Sequence, residues 1–430
     1  METIVLIVVL FGLFLLTTPI GISFIATAVV LLLLFSDVPL LMVAEGLFSK
    51  LDSFPLEAVL FFILLGNLMK AGNSSKHLVE FAKSLVYKIP GGLGIAGIMA
   101  CAIFGAISGS ATATVVAIAT ILVPAMVTAG YHKDFSIGLV TTSSVLGVII
   151  PPSILMILYS VVANVSMSKL FLGGFVPGVL IALALSIYTA LVARKKGYGE
   201  VGSEKNQAGG IMGAFKAAGR AIWALLLPFL ILGGIYGGIF TPTEAAVIGC
   251  VYAIIIESFV YRTLSPKDIW EVLTTSGIST GALLITMAGA CIFCDYLALK
   301  QIPQDLSSFV IANFKSPALF LFCINLLFLF LGTFVDPLSA IIVVTPLLMP
   351  TVEALGIDPI FLGVVLTINL GVGYCTPPLG ANLFVASLVM KESYAKIAVA
   401  VIPPLTIYLA ALLVLNLFPS LILFLPKWMM

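Results

Sequence analysis

The apolar runs of this chain decide its solvent. Ile4–Phe35 holds no charged residue, and Ala58–Met69, Leu170–Ala193, Ala221–Phe240, Ala245–Val260, Ser279–Leu299 and Ala398–Leu425 continue in the same character. These runs approach or exceed the ~20 residues that a helix needs to cross a bilayer. Charged residues make up 9% of the 430, whereas soluble domains average about 25%. In hydrocarbon the backbone must satisfy its own hydrogen bonds, so only helices and closed barrels can span. Continuous runs, rather than ~10-residue alternation, select helices. The fold class is therefore an all-α polytopic membrane protein in contact with a lipid bilayer. A net charge of +1, with no Lys/Arg cluster beside stacking aromatics, speaks against a nucleic-acid partner.

The first residues carry no basic segment and no small-residue cleavage pattern, so the opening stretch is expected to stay as membrane helix. The six cysteines are scattered through apolar sequence. Cys291-x-x-Cys294 lacks a second pair or a neighbouring His, which leaves these residues as small buried hydrophobes.

Two regions repeat one another. FGAISGSATAT (Phe104–Thr114) followed by VLGVIIPPS (Val145–Ser153) is echoed by LGTFVDPLSA (Leu331–Ala340) followed by NLGVGYCTPPLG (Asn369–Gly380). Gly105 matches Gly332 at an offset of 227, and Pro151-Pro152 match Pro377-Pro378 at an offset of 226. Thr18-Pro19 and Thr241-Pro242, each dividing an apolar stretch into two short spans, lie 223 apart. Interrupted helices at matching places in two halves point to a transporter's binding site.

Within each repeat the order is the same. Gly91–Ile107 and Thr112–Val127 are too short and too close to be independent spans, and read as a re-entrant hairpin with its tip at Ser108-Gly109-Ser110. Phe135–Leu146 and Pro152–Ala163 read as one span broken at Gly147–Pro151. The second copy gives a hairpin Pro317–Gly332 / Leu338–Thr351 with its tip at Thr333–Pro337. Its broken span is Phe361–Leu370 / Leu379–Met390, interrupted at Gly371–Pro378. Upstream of the first core, Pro39–Phe54 reads as an interfacial helix, Pro55–Met69 as a span, and Leu78–Ile89 as an amphipathic surface helix. Lys267–Leu273, Ser279–Leu299 and Asp305–Phe314 are their counterparts.

The predicted domains are 1–90 (scaffold helices and interfacial arm), 91–169 (transport core), 170–219 (scaffold helix and cytoplasmic linker), 220–315 (scaffold helices and arm), 316–395 (transport core) and 396–430 (C-terminal scaffold helix). Lys70, Lys76, Lys83 and Lys88, the group Arg194, Lys195, Lys196 and Lys205, and the pair Arg262 and Lys267 mark the cytoplasmic side. The segment Lys300–Lys315 carries fewer cations and would face outward. Counting spans between these anchors inverts one half relative to the other and predicts that both termini are periplasmic.

Four breaks at membrane depth must meet, because non-helical backbone is tolerated there only when buried or lining a cavity. Pro and Gly free carbonyl oxygens, and with Ser/Thr hydroxyls these suit a hard monovalent cation. Helix N-termini suit an anion. At least two Na+ sites are expected, one per half, with substrate between them. Candidate cation ligands include Ser108, Ser110, Thr112 and Thr333, with carbonyls around Gly147, Ile150, Gly373 and Thr376. Asn67, after Gly66 in a span, is placed to reach the first tip. Asp336 either helps a cation or caps the helix starting at Pro337. Asp295 lies near the membrane edge. The substrate pocket is expected around Ser110, Pro151, Pro152, Ser153, Thr333, Pro378 and Asn382.

GAISGSATAT, LGVIIPPSILMILY, GGIFTPTEAA and TPPLGANLF resemble signatures of the large membrane subunit of tripartite ATP-independent periplasmic (TRAP) transporters, over nearly the whole chain. The resemblance implies sodium-driven uptake of carboxylates or acidic sugars by an elevator motion in the bacterial inner membrane. It also implies a small membrane subunit, a periplasmic substrate-binding protein and a fold like that of sodium/dicarboxylate carriers. Carried over by position, Ser108, Gly109, Ser110 and Thr112 with Gly147–Pro151 would form one sodium site. Gly332, Thr333 and Asp336 with Gly373, Thr376 and Pro377 would form the other. No additional four-helix segment is evident in this sequence, so a separate small subunit is expected. Two alternatives remain at this point: a stand-alone sodium/dicarboxylate symporter, and an intramembrane hydrolase using Ser108, or Asp295 with Asp336. The hydrolase needs an intramembrane base, yet His77 and His132 read as loop residues.

Overall fold

A computed structural model describes residues 2–49, 51–86, 89–198, 211–313 and 316–429. Lys88, Lys205, Phe314, Lys315 and most of the expected linker lie outside them. The described residues contain helices and no strands, and ten helices are long and apolar enough to span a membrane. Phe229 and Phe259, each 73% exposed, are side chains that only a lipid or protein partner would cover at low cost.

The two halves repeat in element order. Glu2–Leu15, Ile20–Phe35, Leu41–Ser49, Phe54–Ala71 and Ser74–Val86 lead into the first core; Ile211–Tyr236, Pro242–Ile255, Pro266–Leu299 and Ile302–Asn313 lead into the second. Their contacts show that the repeat is inverted. Phe54–Ala71 runs parallel to Pro242–Ile255 and its π-turn: the Thr243 hydroxyl donates to the Phe54 carbonyl at 3.0 Å, and Glu257 reaches Ser74 just past the other end. Ile20–Phe35 runs parallel to Pro266–Leu299 in the same way, with Phe24 stacked on Phe293 at 5.2 Å and Lys300 donating to the Phe35 carbonyl at 2.7 Å. Pro266–Leu299 starts just after the π-turn, at the end where Phe54–Ala71 finishes. The two equivalent spans therefore point in opposite directions. Ile20–Phe35 packs on Pro266–Leu299 and Pro242–Ile255 packs on Phe54–Ala71, so each half's second helix meets the long span of the other half, and these four form the centre of the scaffold.

The cores are exchanged as well. Beyond the first break, Ile154–Val162 packs on the second hairpin's outgoing arm, Pro337–Ala354; beyond the second break, Ala381–Met390 packs on the first hairpin's outgoing arm, Ala111–Thr128. Neither core is complete without the other half.

The structure moves several expected boundaries. The first broken span ends its first helix at Ser143, passes a turn at residues 144–145, keeps a helical turn at Leu146–Ile149 and then unwinds over residues 150–153. The second stays helical through Pro359–Gly373 and unwinds over residues 374–380. Gly147, Gly371 and Gly373 thus sit in helix, because each is packed against another chain segment and does not serve to release the backbone. The second arm and span fuse into one 34-residue helix, Pro266–Leu299. The sequence between Leu273 and Ser279 has no proline to stop it, whereas Asp52-Ser53-Phe54-Pro55 separates the first pair. Met167–Lys196 and Tyr394–Leu417, expected in the scaffold, pack on the hairpin and broken spans of the core.

Candidate functional site

The first hairpin turns where Gly109 takes a left-handed φ of +59° and its N–H donates to the Gly105 carbonyl at 2.8 Å, a conformation glycine reaches without cost. Ser110 then starts the outgoing arm, its side chain accepting from the Ala113 N–H. The Thr114 hydroxyl donates to the Ser110 carbonyl at 2.7 Å and lies 3.3 Å from the Ser108 hydroxyl. Ser110 and Thr112 hydroxyls are 3.1 Å apart. The result is a knot of oxygen atoms.

The second hairpin turns at Val335-Asp336. The Asp336 carboxylate accepts from the Leu338 and Ser339 N–H groups at 3.1 and 3.2 Å, so it caps the outgoing arm, Pro337–Ala354. The Thr333 and Thr376 hydroxyls donate to the carbonyls of Phe330 and Val372, and their remaining lone pairs are available as acceptors.

Each tip is fastened to its own broken span in the same two ways. The N–H at each restart donates to a tip carbonyl, Ile154 to Gly109 at 3.3 Å and Leu379 to Thr333 at 3.2 Å. A pair of glycines lets backbone meet backbone. A Cβ on Gly105 would lie 2.3 Å from the Gly147 Cα, and one on Gly373 would lie 2.6 Å from the Gly332 Cα. Both diproline bonds, Pro151-Pro152 and Pro377-Pro378, are cis.

The two junctions face one cavity of about 580 Å3. Ser108, Gly109, Ser110 and Thr112 line it from the first tip, and Asp336 and Leu338 from the second. Val148, Ile154, Tyr374 and Ala381 line it from the broken spans. The scaffold closes the far side with Ile63, Gly66, Asn67 and Lys70, and with Ser279, Leu283 and Thr286. The Asn67 amide donates to the Ser276 hydroxyl at 2.9 Å, which ties the two inverted spans together at the cavity wall.

Not every expected site residue reaches this space. Gly147, Ile150, Gly332, Thr333 and Gly373 are buried outside the lining, and the half-buried Thr376 is outside it as well. Pro151, Pro152 and Ser153 are also buried, and Ser153 caps Ile154–Val162 while donating to the Val148 carbonyl at 2.6 Å. Pro377 and Pro378 are exposed away from the cavity lining, and the Pro378 carbonyl accepts from Tyr394. Asn382 is fully buried and donates to the Ser144 hydroxyl at 2.9 Å, joining the two broken spans. Asp295 and both histidines are outside the lining; His77 packs on Tyr261 at 4.6 Å between ring centroids.

Three features escaped the sequence reading. Lys70 lines the cavity. Glu257 is completely buried and accepts from the Asn73 and Ser74 N–H groups and the Thr263 hydroxyl. Asn325, Asn369 and Asn416 form a chain of amides, with bonds of 2.6 and 3.0 Å, linking the second hairpin, its broken span and Tyr394–Leu417. A carboxylate or amide inside an apolar run was the available signal in the last two cases.

The chain matches the family described as "Tripartite ATP-independent periplasmic transporter, DctM component" over residues 7–421. It is 39% identical to the C4-dicarboxylate TRAP transporter large permease protein DctM of Rhodobacter capsulatus, with 99% of each chain covered. It is 36% identical to the sialic acid TRAP transporter large permease protein SiaM of Vibrio cholerae, with 95% of each covered. The isethionate TRAP transporter permease protein DctMQ of Oleidesulfovibrio alaskensis is 38% identical over 96% of this chain and 65% of that one. Among solved structures, the YdaH transporter of Alcanivorax borkumensis shares the fold, with a TM-score of 0.62 at 15% identity over 93% of this chain and 97% of that one.

Proposed function

Because this chain belongs to the DctM family of TRAP transporters, a family of permeases and not of enzymes, we propose that it is the large membrane subunit of a sodium-driven importer of organic anions. The observation that carries this reading is the pair of tip-to-break junctions facing one cavity. Each junction offers hydroxyl and carbonyl oxygens, a donor set that suits a hard cation. The first would hold Na+ through Ser108, Ser110, Thr112 and nearby carbonyls. The second would use Asp336, Thr333, Thr376 and carbonyls around Gly373. A cation at either junction supplies positive charge next to the cavity, and the substrate anion would gather there with the helix N-termini at Ser110 and Asp336.

The cavity lies at the seam between core and scaffold, so a core sliding along the scaffold would carry ions and substrate together in an elevator motion. By the positive-inside rule the lysines and arginines at the Lys70 end would face the cytoplasm, with both termini in the periplasm of a bacterial inner membrane. The relatives are named for a C4-dicarboxylate, sialic acid and isethionate, all of which carry a carboxylate or sulfonate. The class of substrate proposed here is accordingly a small organic anion. A small membrane subunit and a periplasmic binding protein complete the machine.

Uptake into proteoliposomes containing the chain, its small subunit and its binding protein tests this reading, with and without an inward sodium gradient. Uptake that requires both sodium and the binding protein is expected. Sodium-dependent uptake without the binding protein would replace the tripartite reading with a stand-alone symporter. Uptake indifferent to sodium would remove the two junctions as cation sites.

A further inference from the structure

Two charged side chains line the cavity: Asp336 on the second tip and Lys70 on the scaffold. Asp336 is engaged as a helix cap. Lys70 belongs to the cavity-facing stripe Ile63, Gly66, Asn67 and Lys70 of Phe54–Ala71, spaced at i, i+3, i+4 and i+7. Among the described residues it makes no ion pair. The inverted repeat supplies a comparison at the other span's end. There Lys300 pairs with Glu2 at 3.2 Å and donates to the Phe35 carbonyl at 2.7 Å, away from the cavity. The repeat thus neutralises one span-end lysine and leaves the other facing the transport space. A helix C-terminus favours a cation at any last-turn position, so that preference alone does not select the cavity face.

We propose that Lys70 is an anion subsite on the scaffold, receiving the carboxylate or sulfonate of the substrate on the cytoplasmic leg of transport. The ammonium is a point charge with three donors that suits either group. Ser279 on the facing scaffold span and Ser110 on the first tip supply neutral donors around the same space. Because Lys70 belongs to the scaffold and not to the core, it meets the substrate only when the core stands as it does here. Its effect is therefore one-sided. The inference rests on the anion-import reading above.

Proteoliposomes of the full three-component system provide the test, with binding protein outside only, so that uptake counts molecules whose outer face points outward. The lumen is loaded with increasing succinate, N-acetylneuraminate or isethionate, using the anion that the binding protein delivers. The measurement is the internal concentration that halves uptake. Lys70→Gln is expected to raise it about ten-fold through loss of one screened charge contact, Lys70→Glu further, and Lys70→Arg less than about two-fold. Equal internal inhibition in wild type and Lys70→Gln overturns the subsite and leaves the importer reading standing. A shift of the same size on the outer face also overturns it. Wild-type uptake indifferent to sodium would fail the sodium reading, while the internal inhibition still reports on Lys70.

Discussion

The two tip-to-break junctions share a backbone plan and differ in chemistry and cover. In the first, residues 150–153 are all buried, with Met167–Lys196 laid across them; a Cβ on Gly174 would lie 2.5 Å from the Ile149 carbonyl oxygen. In the second, Pro377, Pro378 and Leu379 are exposed, and Tyr394–Leu417 reaches the break through Tyr394 and the Pro378 carbonyl. The first tip offers only neutral oxygens. The second adds a carboxylate. If the first junction holds a cation, its neutral oxygens would have to be placed by packing alone, and its function would depend on shape. An open junction with a carboxylate can depend on charge. The repeat keeps the geometry and differs in charge.

The largest effect should come from breaking shape. Gly105→Ala puts a methyl 2.3 Å from the Gly147 Cα, whereas Gly332→Ala puts one 3.0 Å from the Gly373 Cα. The first cannot be relieved by a side-chain movement, since the obstacle is backbone. Gly105→Ala is expected to reduce uptake at least 100-fold and to cost about 1–3 kcal/mol by overpacking. Gly332→Ala, relieved by a shift of a few tenths of an ångström, should retain a measurable fraction. Uptake together with thermal unfolding of the purified chain would show it. Equal loss in both variants would remove the distinction between a shape-dependent and a charge-dependent junction.

Charge is the next lever. Asp336→Asn keeps a good capping side chain, so stability should change little, while Asp336→Ala removes the cap and costs about 1 kcal/mol. If the carboxylate serves a cation, both variants should raise the sodium concentration for half-maximal uptake by at least about ten-fold, the equivalent of one 1.4 kcal/mol contact. If capping is its whole role, only Asp336→Ala should be impaired. Ser110→Ala at the first tip is the matched control: it loses a neutral oxygen, and its expected shift in sodium dependence is about three-fold, near that of a neutral hydrogen bond.

These contrasts also mark what the sequence could disclose. Periodicity and run length give the spans, and the repeated Gly/Ser/Pro interruptions give the hairpins, the broken spans and their order. The glycines were visible but ambiguous. Read as points of unwinding, Gly147 and Gly373 belonged to the breaks; in the structure they are helical positions kept free of side chains so that Gly105 and Gly332 can approach. No single-chain pattern separates those two uses of glycine, because the difference lies in what packs opposite. Lys70 was legible as a topological marker and not as a cavity residue, since the second span that encloses the cavity comes some 200 residues later, as the Asn67–Ser276 bond shows. Glu257 was overlooked although it falls inside the apolar run Ala245–Val260, because its partners Asn73 and Ser74 lie some 180 residues earlier.

The smallest expected effect concerns a bond that joins the two broken spans outside the cavity. Lys133, at the start of the first, bonds Glu392, in the turn after the second, with Lys396 3.4 Å from the same carboxylate. The Lys133 hydrogen bond, followed by the charges of Lys133 and Lys396, holds the Glu392 carboxyl below its ordinary 4.5. A lowered value means that folding favours the ionised form. The contribution is thus present at neutral pH and is lost as pH falls through the lowered value. Exposed pairs contribute little, so Glu392→Gln should move the unfolding midpoint by less than about 2 °C at pH 7. The difference from wild type should vanish at acid pH, and sodium-dependent uptake should be unaltered. A change in uptake larger than the change in midpoint would show that the two broken spans are coupled through this turn, and the two junctions could then no longer be treated as independent sites.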